Sequence, residues 1–289
     1  MAWDFEPVAG PYEFTEGPVW DPDEGVVYFT DIPNSRICRY DPATGETDVW
    51  VDDTNRGNGL ALGPDGAIYC CEMGGHQVSR YDRDGSKTVI ADSYEGDRFN
   101  SPNDLVFDSE GRIWFTDPDY DEQEDAPLGH YSIYRLDPTD DWAVTRVTFD
   151  TTNPNGLLLS ADETTLYVAQ SEYGEGNPRE LRAYPIEDDG TVGEYEVLHN
   201  FYPHRGIDGM CHDEDGNIIA TAGWEDSGPG PMIYVFAPSG RVLETHPYPA
   251  EAPTNCCFGG EDLTDLYTTG YDGVLYRVET ERVGRPIPP

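Results

Sequence analysis

The chain has 289 residues, with 57 acidic side chains against 17 basic ones and a formal net charge of −40. That charge excludes nucleic acid and membrane surfaces as partners, because both are anionic and would repel it. Disorder is excluded as well, since 19 Tyr, 10 Phe and 6 Trp punctuate regular apolar runs. The acids are spread through every turn and do not form a tail, and Lys87 is the single lysine. This is the composition of a salt-adapted protein, whose self-repulsion concentrated salt screens.

In chain order, the first segment, MAWDFEPVAG, lacks the basic start and apolar core of a secretion signal. No apolar run approaches the length of a membrane span, so the expected location is the cytoplasm. From Glu16 a short pattern recurs: an oxygen-bearing residue, a small residue, an apolar run, an Asp/Gly turn and a second apolar run. Its copies open at Glu16, Asn58, Asn103, Asn155, Asp208 and Asn255, at spacings of 42, 45, 52, 53 and 47 residues. A strand-built period of this size predicts a propeller.

The second repeat shows one blade in full. Leu60–Leu62 reads as a strand, Pro64-Asp65-Gly66 as a turn and Ala67–Cys71 as the return; Gln77–Tyr81 and Ser86–Ala91 follow across Arg83-Asp84-Gly85. The expected fold is therefore all-β, a six-bladed β-propeller with four antiparallel strands per blade, forming a single domain over residues 1–289. The last repeat is one strand short, and Ala2–Ala9 is expected to supply it. The cysteines Cys38, Cys70, Cys71, Cys211, Cys256 and Cys257 match no zinc spacing. They read as small buried groups in a reducing compartment. Trp20, Trp114 and Tyr167 fall on inner strands and read as core.

In a closed ring the six opening residues gather at one mouth of the central channel. A wider ring is expected from the ends of the second strands: Asp31, Glu72, Asp117, Gln170, Gly223 and Thr269. Glu16 and Asp208 would repel each other across a narrow channel unless a cation neutralised them. Carboxylate and amide oxygens suit a hard divalent ion, with Ca²⁺ favoured and Mn²⁺, Mg²⁺ and Zn²⁺ left open.

The stretch Ala91–Tyr120, ADSYEGDRFNSPNDLVFDSEGRIWFTDPDY, resembles the hallmark segment of the gluconolactonase branch of the regucalcin (senescence marker protein)/gluconolactonase family. TEGPVW (Thr15–Trp20), PNGLLLSADETTLYVA (Pro154–Ala169), IDGM (Ile207–Met210) and TNCCFGG (Thr254–Gly260) fit it in the same order. The resemblance implies a propeller that hydrolyses lactones with one bound divalent ion. It implies Glu16, Asn155 and Asp208 as metal ligands, Asn103 as a ligand to metal or substrate, and Arg98 as a substrate contact. Asp117 and Tyr120 are further candidate substrate contacts at the rim. There the chain reads Asp117-Pro118-Asp119-Tyr120-Asp121 where the family often reads DPPYG, and it has His76 near a commonly basic place.

The expected chemistry is metal-assisted hydrolysis of a sugar (aldono-) lactone to the aldonic acid, with Asp208 as the base and His204 as the alternative base. The expected partner is a small-molecule sugar lactone, with no nucleic acid and no membrane, the protein being a monomer or weak oligomer. No Gly-x-Ser-x-Gly elbow is present. The pairs Asp117/Asp119 and Asp119/Asp121 read as solvated rim charge in preference to a glycosidase dyad. A phosphotriester or ester hydrolase of the same fold, and a non-enzymatic calcium-binding propeller, are the rival functions.

Overall fold

The computed structural model describes residues 2–120 and 126–286. Its architecture is six four-stranded antiparallel sheets arranged as blades, plus a two-stranded hairpin, Ser93–Tyr94 with Asp97–Arg98. The inner strands are Thr15–Asp21, Gly57–Leu62, Leu105–Phe107, Pro154–Leu159, Ile207–His212 and Pro253–Gly259. The N-terminal strand Glu6–Ala9 pairs antiparallel with Leu275–Glu279 and becomes the outer strand of the sixth blade. The ring is thus closed by joining the two ends of the chain. Arg277 fastens the seam, reaching Glu6 and Asp265 at 2.8 Å each.

The strands form where β-branched and aromatic residues alternate, and each blade buries both faces against its neighbours. Six apolar clusters result, each shared by two adjacent blades. One joins Tyr69 and Cys71 of blade 2 to Phe115 and Tyr134 of blade 3. Another joins Trp20 and Phe29 of blade 1 to Tyr267 and Leu275 of blade 6. Trp114 and Tyr167 lie in two more of these clusters, so all three aromatics assigned to the core are there. The six cysteines are free and buried or half-buried. Among the described residues no helix is long and apolar enough to cross a membrane.

Many of the acids act locally. Asp41, Asp84, Asp137 and Asp189 each accept the amide two residues on, which closes the turn between strands. At Asp84, Asp137 and Asp189 the hydroxyls of Ser86, Thr139 and Thr191, and then these amides, hold the carboxyl below the usual range, as the Ala43 amide and the Thr44 hydroxyl do at Asp41. The abundance of Asp is therefore partly turn chemistry and only partly surface charge.

Candidate active site

Five inner strands slip register where the opening residue sits. Two residues oppose one on the second strand between Gly57/Leu60, Pro154/Leu157, Ile207/Met210 and Pro253/Cys256, and a matching slip falls between Glu16 and Val19. Such β-bulges re-aim side chains. In blade 3, Asn103 and Asp104 occupy the same place opposite Thr116, hydrogen-bonded to its carbonyl and amide respectively. Aligned by register, the upper ring is Glu16, Asn58, Asn103, Asn155, Asp208 and Thr254, all buried.

The sixth member corrects the sequence expectation. Asn255 is not the equivalent of Asn58; Thr254 is, because Pro253 pairs with Gly270 as Gly57 pairs with Glu72. Asn255 takes the second bulge position, which is glycine in four blades and Asp104 in blade 3. Blades 3 and 6 are opposite in a ring of six. Their two larger side chains meet across the axis as a floor, with Asn255 Nδ2 at 3.5 Å from Asp104 Oδ2. The glycines make this room, since a Cβ at Gly209 would collide with the Asn255 side chain.

Neighbouring blades are stapled at this level by hydroxyl-to-carbonyl bonds. Thr30 Oγ1 donates to Asn58 O (2.9 Å), Ser171 Oγ to Ile207 O (2.6 Å) and Thr254 Oγ1 to Thr15 O (2.8 Å). The ring residues are therefore mounted on a rigid collar.

The wider ring does not form the expected open acidic cup. Asp31, Glu72, Asp117 and Gln170 are fully buried and latch the loops that lead into the inner strands. Asp31 accepts Glu13 N and Phe14 N (3.3 and 3.4 Å), Glu72 accepts Asn55 Nδ2 (2.7 Å), and Gln170 accepts Thr152 N (3.1 Å). Asp117, the candidate substrate contact, is fully buried and accepts Asn100 N and Ser101 N at 2.9 and 2.7 Å, one on each carboxylate oxygen. Each latch holds the chain two or three residues before a ring residue. In blades 5 and 6 the register puts Ala222 and Gly270 in this place, one residue before Gly223 and after Thr269 respectively.

Blade 5 replaces the latch with a cation that sequence reasoning missed. Arg205, three residues before Asp208, is buried and ion-paired with Asp208 Oδ2. Its Nη1 donates to Gly223 O (3.0 Å) and Pro253 O (3.1 Å), and its guanidinium lies 5.1 Å from the centre of the Tyr271 ring. His204, the alternative base, has Nδ1 2.9 Å from Ser227 Oγ. Tyr120 and Tyr173 form a wall, their centroids 6.3 Å apart, with the Tyr120 hydroxyl directed at Ser171 O. Arg98 stands at the rim, with Nη1 2.7 Å from His76 Nδ1 and 3.1 Å from Phe99 O. Asp119 donates its amide to Asn153, while Asp121 lies outside the described residues.

Electrostatics sets the site apart. Glu16 is pushed well above the carboxylate range by burial, then by the nearby charges of Asp208 and Asp104; the Gly17 amide and Asn255 pull it back. Burial likewise raises Asp208 against the opposing pull of Arg205 and Asn155. Asp104 is pushed up to about 7, chiefly by burial. Three buried carboxylates against one guanidinium leave a net charge of −2 when all are ionised.

Among the described residues no three His, Cys, Asp or Glu side chains form a metal-holding group. A cation here would take its remaining ligands from amide oxygens. Asn155 lies against Asp208 and Asn255 against Glu16, so the donor set is hard oxygen with a charge deficit of two. That chemistry fits a divalent ion of the Ca²⁺ type.

A pH dependence follows for metal-free protein. Asp104 and Asp117 are both pushed up to about 7, mainly by burial, against about 3.9 for an unfolded aspartate. The native state therefore binds more protons than the unfolded state between those values, and stability falls as pH rises from about 4 to 7, by about 2–4 kcal/mol per group. Denaturant titrations in molar KCl with chelator should show this decline between pH 5 and 8, where the surface carboxylates are already ionised. Asp117→Asn should remove part of the slope, and stability that stays level or rises would contradict the assignment.

Comparison with known proteins gives one consistent relationship. Residues 14–271 match the SMP-30/Gluconolactonase/LRE-like region. The chain is 31% identical to the gluconolactonase of Zymomonas mobilis over 95% of its own length and 81% of that protein. It is 31% identical to a pentonolactonase of Haloferax volcanii, covering 94% of this chain and 92% of that one. The solved gluconolactonase structure from Xanthomonas campestris superposes with a TM-score of 0.84 at 30% identity, covering 95% and 89% of the two chains.

Proposed function

Starting from the fact that the chain belongs to the SMP-30/gluconolactonase/LRE-like family, we propose that it is a lactonase that hydrolyses a sugar lactone to the aldonic acid with a divalent cation, Ca²⁺, at the channel mouth. The observation that carries this reading is the pair of buried carboxylates, Glu16 and Asp208, raised by burial and, at Glu16, by mutual repulsion, on bulges that face the axis. Gluconolactone and pentonolactone are the substrates named for the relatives of comparable length, and the aldonolactones are the class proposed here.

Glu16, Asn155 and Asp208 would hold the ion, with Asn103 beside them. When bound, it supplies a Lewis acid that polarises the lactone carbonyl. The chain supplies the rest. Asp208 accepts the proton of the attacking water. The ring oxygen leaves as the hydroxyl of the open acid once it regains a proton. Tyr120 and Tyr173 offer a flat wall for a sugar ring, and Arg98 reaches over from the rim. Asp117, spent on the amides of Asn100 and Ser101, holds the loop that carries Asn103 and is a positioning residue.

The test is proton release from glucono-, galactono- and xylonolactone in molar KCl. Activity lost on chelation and restored by Ca²⁺ or Mn²⁺ is the expected result. Folded, ion-loaded protein that hydrolyses no lactone, or activity indifferent to chelation, would overturn the proposal.

A further inference from the structure

We propose that Arg205 is a fixed internal counter-ion that holds the fully ionised charge of this cup at −2 and thereby limits its affinity for cations. The inference rests on reading the cup as a cation site. Without Arg205, the carboxylates of Glu16, Asp104 and Asp208 would present −3 to an ion at the channel mouth. The guanidinium is clamped before any ion arrives. Its Nη1 is shared by two backbone carbonyls from different blades, Gly223 O at 3.0 Å and Pro253 O at 3.1 Å. Tyr271 lies beneath it at 5.1 Å and Asp208 takes its Nη2. It is 6% exposed, so it has no route to water that keeps these bonds.

Two consequences follow. Asp208 meets an incoming ion with one oxygen already engaged by a cation, so its donor strength is divided. The guanidinium also repels that ion directly through a poorly screened interior, where one unit charge a few ångströms away weighs more than in water. No other blade carries a basic residue at this place. The equivalent positions hold Glu13, Asn55, Asn100, Thr152 and Glu251. The charge is thus a property of blade 5 alone, set beside the one carboxylate of the upper ring that lies across blade 6 from Glu16.

The experiment is calorimetric titration of Ca²⁺ into the full-length, chelator-stripped protein in molar KCl, with Tb³⁺ emission sensitised by the nearby tyrosines as the second readout. Arg205→Gln should tighten Ca²⁺ binding by about tenfold or more, and Tb³⁺ binding by a larger factor because its charge is higher. Arg205→Lys, which keeps the charge, should stay within about threefold of wild type on the same electrostatic argument. Asp104→Asn should weaken binding, and Asp104→Asn with Arg205→Gln should return it to the wild-type value. If Arg205→Gln alone does not fold, the comparison of Asp104→Asn with the double variant carries the same test, because it too removes only Arg205. Folded neutral variants with unchanged or weaker affinity would overturn the counter-ion role while leaving the cation site intact. Wild-type protein without saturable Ca²⁺ or Tb³⁺ binding would instead overturn the site itself.

Discussion

Asp208→Asn is expected to lower kcat/KM on a sugar lactone by about 10²–10³ while the strands stay intact in molar KCl. The substitution keeps the shape of the side chain but removes one of the two anionic groups of the upper ring and the proposed proton acceptor. It also strips Arg205 of its ion-pair partner. Breaking a buried pair from one side costs about 3–5 kcal/mol; the low end applies here, because Glu16 and Asp104 remain nearby to compensate the guanidinium. A modest drop in unfolding midpoint should therefore accompany a large loss of rate. Glu16→Gln should lose ion binding and rate without exposing Arg205, so the two variants separate the ligand role from the pairing role. Asp208→Asn protein that keeps full activity with ion bound would exclude Asp208 as the base. It would leave water activation to another group.

Moving the protein from molar to low salt is the second large effect, and the expected outcome is unfolding. The accessible surface is 12022 Å² and the net charge −40, so uncompensated negative charges lie roughly 17 Å apart. The Debye length is about 3 Å at 1 M salt and about 30 Å at 0.01 M. In concentrated KCl each charge is screened from its neighbours; in dilute buffer each feels several at once, and the compact state is penalised. Loss of the β-sheet circular dichroism signal below a few tenths molar KCl, reversed by adding KCl back, is the result that supports a salt-adapted chain. Equal unfolding midpoints in dilute and molar KCl would refute it. The paired and turn-capping acids temper the effect without removing it, because the arginine bridges to Asp48, Asp65 and Asp82 are solvent-exposed, and exposed pairs of this kind are weak.

Blade number, strand order and the seam were legible in the sequence because they depend on local signals. Alternating apolar runs and Asp/Gly turns specify each meander, and a missing fourth strand in the last repeat called for the segment Ala2–Ala9, within which Glu6–Ala9 forms it. Glu16, Asn103, Asn155 and Asp208 could be picked out because each opens the same short pattern, and the register brings them to one collar. What repeat counting could not reach was anything that turns on a single residue of register. A bulge places two residues opposite one, so Thr254 and Asn255 were indistinguishable as openings until Pro253 was seen to pair with Gly270. The same step makes Asp104 a floor residue facing Asn255 across the axis, although in sequence it is only the neighbour of Asn103.

The second ring failed as a reading for a related reason. Alternation on a strand says that Asp31, Glu72, Asp117 and Gln170 share a level, but not whether solvent or a backbone amide will meet them. That is decided by loops packing from the same blade, and here the amides win because a buried carboxylate without donors is costly. Arg205 is the clearest case. Nothing in HRGID marks its arginine as different from the surface arginines. Only the convergence of blades 5 and 6, with two free carbonyls, an aromatic face and Asp208, makes a buried cation stable there. Local periodicity determined the scaffold and most of the ring, whereas the sign and balance of charge inside it were decided by groups that meet only when the blades close.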